Sequence, residues 1–165
     1  MKAISMKVWG PAVAVFLLLS SAAVASHASP GGQSELAAVR AATAKFHDLA
    51  TAEAAGYSRF LDCFQNPGVG GMGQHYVQLD SLDGNIDALR PEAMVYEVDP
   101  RRLQLVAVEY VVPTSDWSGE DPPKLFGHDF FLNTQLGVWA LHAWIWRPNP
   151  LGMFENFNPK VRLCP

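Results

Sequence analysis

Three ionisable residues stand in stretches that otherwise read as buried strand. His142 lies within Gly137-Val-Trp-Ala-Leu-His-Ala-Trp-Ile-Trp146, Glu109 within Leu103-Gln-Leu-Val-Ala-Val-Glu-Tyr-Val-Val112, and His75 near the start of Gln74-His-Tyr-Val-Gln-Leu79. A charge or imidazole in such surroundings costs free energy unless it has a partner. Two imidazoles and a carboxylate form a ligand set for Zn, Cu, Fe or Mn, with positions left open for water or substrate. His128, in the aromatic segment Leu125-Phe-Gly-His-Asp-Phe-Phe131, is a fourth candidate ligand. Ligands drawn from separate strands leave no diagnostic local spacing, and the chain has neither H-x-H nor H-E-x-x-H.

The same residues support a chemistry without metal. Burial raises a glutamate pKa, and a neighbouring histidine exchanges protons with it. Glu109 is then the candidate base and His142 or His75 the candidate acid of a lyase or isomerase, which makes Glu109 and His142 the catalytic candidates. Tyr76, Tyr110, Phe126, Trp144 and Phe154 are the candidate residues around a pocket. A third reading is a hydrogen-bonded Glu–His network inside a non-catalytic structural or binding module, the commonest fate of single core histidines. The three readings stay open here. The expectation carried forward is a pocket near His75, Glu109 and His142 that binds a transition metal or a small ligand.

These residues need strands to hold them. Alternation places Glu109 on one face with Leu103, Leu105, Ala107 and Val111, His142 with Val138, Ala140, Trp144 and Trp146, and His75 with Val77 and Leu79. Strands are expected at residues 74–79, 93–98, 103–112 and 138–146, with 125–131 as a short strand or lid. Asp99-Pro-Arg-Arg102 turns the second into the third as a hairpin. Helical spacing of Leu36, Val39, Ala42, Phe46, Leu49, Ala50 and Ala54 predicts one amphipathic helix from 35 to about 55, with Ser34 as its N-cap and Gly56 as its stop. Residues 60–73 read as irregular. The glycine run Gly68-Val-Gly-Gly-Met-Gly73 lacks the preceding strand and following helix of a phosphate loop. Its glycines instead allow a tight turn or the close approach of another segment. The expected fold class is α+β: one long N-terminal amphipathic helix packed on a curved, mainly antiparallel sheet of about four strands.

The ends and composition bound the function. Residues 1–28 have the form of a signal peptide: Lys2 and Lys7, an apolar run through Leu17-Leu-Leu19, then cleavage after Ala25 or Ala28. That leaves residues 29–165 as a single domain, exported to the periplasm or outside the cell and not inserted in a membrane after processing. The processed chain has ten basic and sixteen acidic residues, a net charge of −6 with histidine neutral. It has no basic stripe, which argues against a nucleic-acid partner. Two cysteines, Cys63 and Cys164, form an expected disulfide in an exported chain. Aromatic residues in the tail, 147–165, predict that it packs on the domain. A small-molecule ligand is the expected partner, and nothing in the sequence bears on oligomeric state.

Several short patterns go together: Gly71-Met-Gly-Gln-His-Tyr76, Val108-Glu-Tyr110, Leu125-Phe-Gly127, Leu141-His-Ala-Trp-Ile-Trp146, Asn149-Pro-Leu-Gly-Met-Phe154, and Asn158-Pro159 continuing to Cys164. With these the chain resembles a family of short exported bacterial proteins of uncharacterised function. The likeness covers most of the processed chain and takes in His75, Glu109, His142 and both cysteines. It implies no activity.

Overall fold

The computed structural model describes residues 30–165. The signal segment assigned to residues 1–28 lies outside them. The described chain is mostly sheet, which corrects the expected helix on a four-stranded sheet. Six strands curl into an antiparallel half-barrel. Its strands are β1 (Ser58–Asn66), β2 (Gly70–Val77), β3 (Ala93–Asp99), β4 (Arg102–Pro113), β7 (Phe131–Asn133) and β8 (Val138–Ala143), in the spatial order β1-β2-β3-β4-β8-β7. Between β4 and β7 a small separate hairpin pairs β5 (Lys124–Leu125) with β6 (His128–Asp129).

The long helix divides into pieces. α1 spans Pro30–Thr43, a 3-10 turn follows at Ala44–His47, and α2 spans Leu49–Ala54. Thr43 turns its hydroxyl back onto the Val39 carbonyl at 2.8 Å, and Asp48 adopts an extended backbone. The Asp48 carboxylate accepts from the Ala50 amide and so caps α2. Alanine-rich composition hides this break, because alanine favours helix on both sides of it. Ser34 falls inside α1 rather than at its start.

Two strand segments read as irregular are paired. β1 is an exposed edge strand with register shifts after Phe60 and Phe64, so it shows no apolar alternation. β2 begins inside the glycine run. The reason is the C-terminal tail: the Asn158 amide donates to the Gly71 carbonyl and the Gly71 amide to the Val161 carbonyl. A Cβ on Gly70 or Gly71 would stand 2.4 Å from the Asn158 carbonyl oxygen or 2.2 Å from that of Arg162. The Cys63–Cys164 disulfide fastens the same tail to β1.

The two faces of the sheet have different fates. One is covered by the helical segments: Leu36, Val39, Phe46 and Ala52 pack with Met94, Tyr96, Val108, Tyr110 and Leu141. On the other, the tail covers part of the surface, Val161 packing with Val95, Ala107 and Trp144. The rest of that second face is a cavity. Strand alternation is not continuous along β4. Val106 is an extra residue between the Val95–Ala107 and Tyr96–Leu105 pairs. This bulge moves Leu103 and Leu105 to the helix-covered core, away from the face of Glu109 where unbroken alternation put them. Its carbonyl accepts from the amides of Trp146 and Arg147, so the chain leaves β8 at Ala143 and docks on the bulge. Trp146 accordingly sits with the helix-covered core, against the exposed His47, and not beside His142.

Candidate metal centre

The strands bring His75, Glu109 and His142 together. Glu109 stands directly opposite His142 across β4 and β8, and opposite Ala93 across β4 and β3. His75 lies two strands away on β2, where it pairs with Val95. Its imidazole reaches over β3 to the carboxylate. The residue β3 presents opposite Glu109 is Ala93, fully buried and small enough to leave that path open. All three ionisable groups line the cavity on the face away from the helix, not under it.

Their donor atoms converge, one from each residue lying within 4.8 Å of the others. His75 Nε2 is 3.3 Å from His142 Nε2 and 3.3 Å from Glu109 Oε2, and His142 Nε2 is 3.4 Å from Glu109 Oε1. Each is long for an N–H···O or N–H···N bond, which prefers about 2.9–3.0 Å. Donors about 2.0–2.1 Å from a tetrahedral ion stand about 3.3–3.4 Å apart, which is the spacing found. The carboxylate turns a different oxygen to each imidazole and can hold an ion through one or both.

Burial sets the electrostatics. His75 and His142 are 3% and 1% exposed, and Glu109 is 9% exposed. Desolvation pushes the Glu109 carboxyl up to about 8, with a smaller push from Glu92. Desolvation also lowers His75 to about 4, opposed by the Gly73 backbone. His142 falls well below its ordinary value, first through burial and then through His75, opposed by the Asn156 side chain. Near neutral pH and without metal, burial therefore favours the uncharged forms: two neutral imidazoles and a carboxylic acid. Neither Nδ1 makes a hydrogen bond of ordinary geometry. The Gly73 backbone acts on the His75 ring and the Asn156 side chain on the His142 ring, as groups that orient a metal-binding imidazole do.

The cavity has a volume of about 750 Å³. Its walls come from β1, the glycine segment, β4, the β7–β8 hairpin and the tail: Phe60, Phe64, Met72, Val111, Phe131, Leu136, Val138 and Phe157 among them. Val77, Val111, Val138 and Ala140 share the parity of the three ionisable residues, and that signal was readable in the sequence. Phe60, Phe64 and Phe157 came from segments without periodicity and carried no such signal.

No family model, no curated protein and no solved structure matches the chain. The site therefore stands on its own geometry.

The other sequence candidates lie elsewhere. His128, on the exposed β6, packs at a tilt against Phe154 with ring centres 4.1 Å apart and is not among the three clustered groups. Tyr76 and Tyr110 are in the helix-covered core, where the Tyr110 hydroxyl donates to the Ala88 carbonyl. Phe126 and Phe154 pack with Tyr110 on that side. Trp144 shares the His142 face but is buried under the tail, stacked on the imidazole at 5.8 Å, with its indole N–H donating to the Glu155 carbonyl. None of these five aromatic residues lines the cavity.

Proposed function

We propose that His75, Glu109 and His142 bind one transition-metal ion and that the cavity above it admits a small ligand to an open coordination position. The observation that carries this is the convergence of three buried metal-ligating side chains, whose closest N–N and N–O approaches of 3.3–3.4 Å are longer than good hydrogen bonds and match the separation of donors on one ion. Two neutral nitrogens and one carboxylate suit Zn²⁺, Fe²⁺, Mn²⁺ or Cu²⁺. The two imidazoles and the carboxylate hold the ion, the apolar walls exclude bulk water, and the ion supplies Lewis acidity at the cavity floor.

An exported setting belongs to the same proposal, as does kinship with short exported bacterial proteins. A disulfide persists in oxidising compartments. No helix among the described residues is long and apolar enough to cross a membrane.

Equilibrium dialysis of chelator-stripped protein against each ion tests the centre. One equivalent is expected, lost in His142→Ala and kept in His128→Ala. Failure of the wild-type protein to retain any of the four ions removes the proposal.

A further inference from the structure

We infer that the ligand of this centre is an amphipathic monoanion: a single carboxylate carried on an apolar body. The inference rests on the metal reading above and adds the chemistry of what the metal holds.

Charge comes first. Two neutral imidazoles and one carboxylate leave a divalent ion with one uncompensated positive charge at a buried floor. Such a charge is costly in apolar surroundings unless an anion meets it. The cavity supplies none. Among the described residues no Lys, Arg or Asp lines it and Glu109 is the one acid in its walls; the Glu92 carboxyl that also acts on Glu109 lies outside the lining, held by the Val111 amide. Its other polar side chains are amides and a hydroxyl, at Asn133, Thr134, Gln135 and Asn156. The ion is therefore the only anion anchor, and one negative charge balances it.

The walls specify the rest. Phe60, Phe64, Val111, Phe131, Leu136 and Phe157 offer carbon and no ionic partner. A ligand with a second charge or several hydroxyls would lose water there without replacement. The volume suits a small organic molecule, which such pockets usually bury almost completely. Phe131 and Leu136 are 56% and 41% exposed at the cavity, an apolar opening through which such a body enters.

Calorimetric titration of the zinc-loaded and the chelator-stripped protein decides the matter with four probes. Octanoate and 4-phenylbutyrate carry the head and an aliphatic or aromatic body. 1-Octanol has the body without the charge, and acetate the head without the body. One of the two acids is expected to bind the zinc form at least tenfold more tightly than 1-octanol and than it binds the stripped form. It is also expected to bind at least a hundredfold more tightly than acetate. Which acid wins identifies the body. Leu136→Glu, at the exposed opening, should weaken that acid at least fivefold and leave zinc stoichiometry unchanged. Zinc that binds while 1-octanol equals both acids overturns the anionic head, and acetate binding as tightly overturns the apolar body. Acids that bind the stripped protein equally well overturn the ion as anchor. Absence of zinc binding overturns the metal reading, and this inference with it.

Discussion

His75 and Glu109 meet across an intervening strand: they sit on β2 and β4, and Nε2 lies 3.3 Å from Oε2 above β3. The contact depends on what β3 places beneath it. Ala93 pairs with Glu109 and has no side chain beyond Cβ to obstruct the imidazole. Ala93→Leu is therefore expected to separate the two groups and cut zinc affinity at least tenfold. Overpacking should cost about 1–3 kcal/mol of stability. Paired dialysis and thermal melts check this, and unchanged zinc affinity would show that the path over β3 is not needed.

The pH dependence of the metal-free protein follows from its buried groups. His75 is held near 4 and His142 is lowered, so both disfavour folding while the unfolded imidazoles bind protons; this penalty fades as pH rises to about 6.5. Glu109 and Glu92 are raised to about 8 and about 7, so the folded state keeps protons that the unfolded state has lost. Above pH 6.5 only the carboxyl effect remains. Stability of stripped protein should fall between pH 6.5 and 8, by about 2 kcal/mol at most from Glu109. Bound metal takes the Glu109 proton's place, so the loaded protein should lose much less. Denaturant melts with and without chelator measure the difference.

Zinc affinity itself should rise with pH up to about 8 and then level, because binding must displace the Glu109 proton while the imidazoles are already neutral. Glu109→Gln should abolish that slope together with most of the affinity. A proton-release measurement in two buffers of different ionisation enthalpy checks it; no proton released at pH 7 would speak against Glu109 as a ligand.

Asn156 lies beside His142 and favours its imidazole holding a proton on the ring. As a positioning residue it should set the ring orientation. Asn156→Ala is expected to weaken zinc about 10–100-fold with little loss of stability. Asn156→Asp, retaining a hydrogen-bond acceptor there, should restore much of the affinity, which a purely structural role would not predict.

The tail is held at both ends of one short run. Cys63→Ser with Cys164→Ser should cost about 4–5 kcal/mol by the chain-entropy estimate for a closed loop of this size. Gly71→Ala should cost at least about 2 kcal/mol, because its Cβ meets backbone rather than a yielding side chain. Phe157 and Asn156 travel with the tail, so both variants should also weaken ligand binding in the cavity. Melts and calorimetry on the two variants separate the effects.

What the sequence disclosed, it disclosed through burial. Glu109 and His142 stood out because their neighbours are apolar at period two, and the β3–β4 hairpin showed itself through the Asp99–Arg102 turn. The same rule failed where pairing is irregular. One extra residue at Val106 reverses the faces of everything before it on β4, and no single-residue signal marks a bulge. Asp48 did carry a signal, a helix-capping acid just before Leu49, but helical spacing across it concealed the break. The glycines of β2 looked like a loop because the partner that requires them, the tail, lies about ninety residues further on. The helix covers the face opposite the cluster, a fact that depends on global packing and not on any local pattern.

X-ray absorption spectroscopy of the zinc-loaded protein tests the central proposal most directly. The expected coordination sphere contains two imidazole nitrogens and carboxylate oxygen at about 2.0–2.1 Å. One imidazole contribution should vanish in any residual zinc bound by His142→Ala. A sphere of oxygens without imidazole scattering in the wild-type protein would contradict the metal centre.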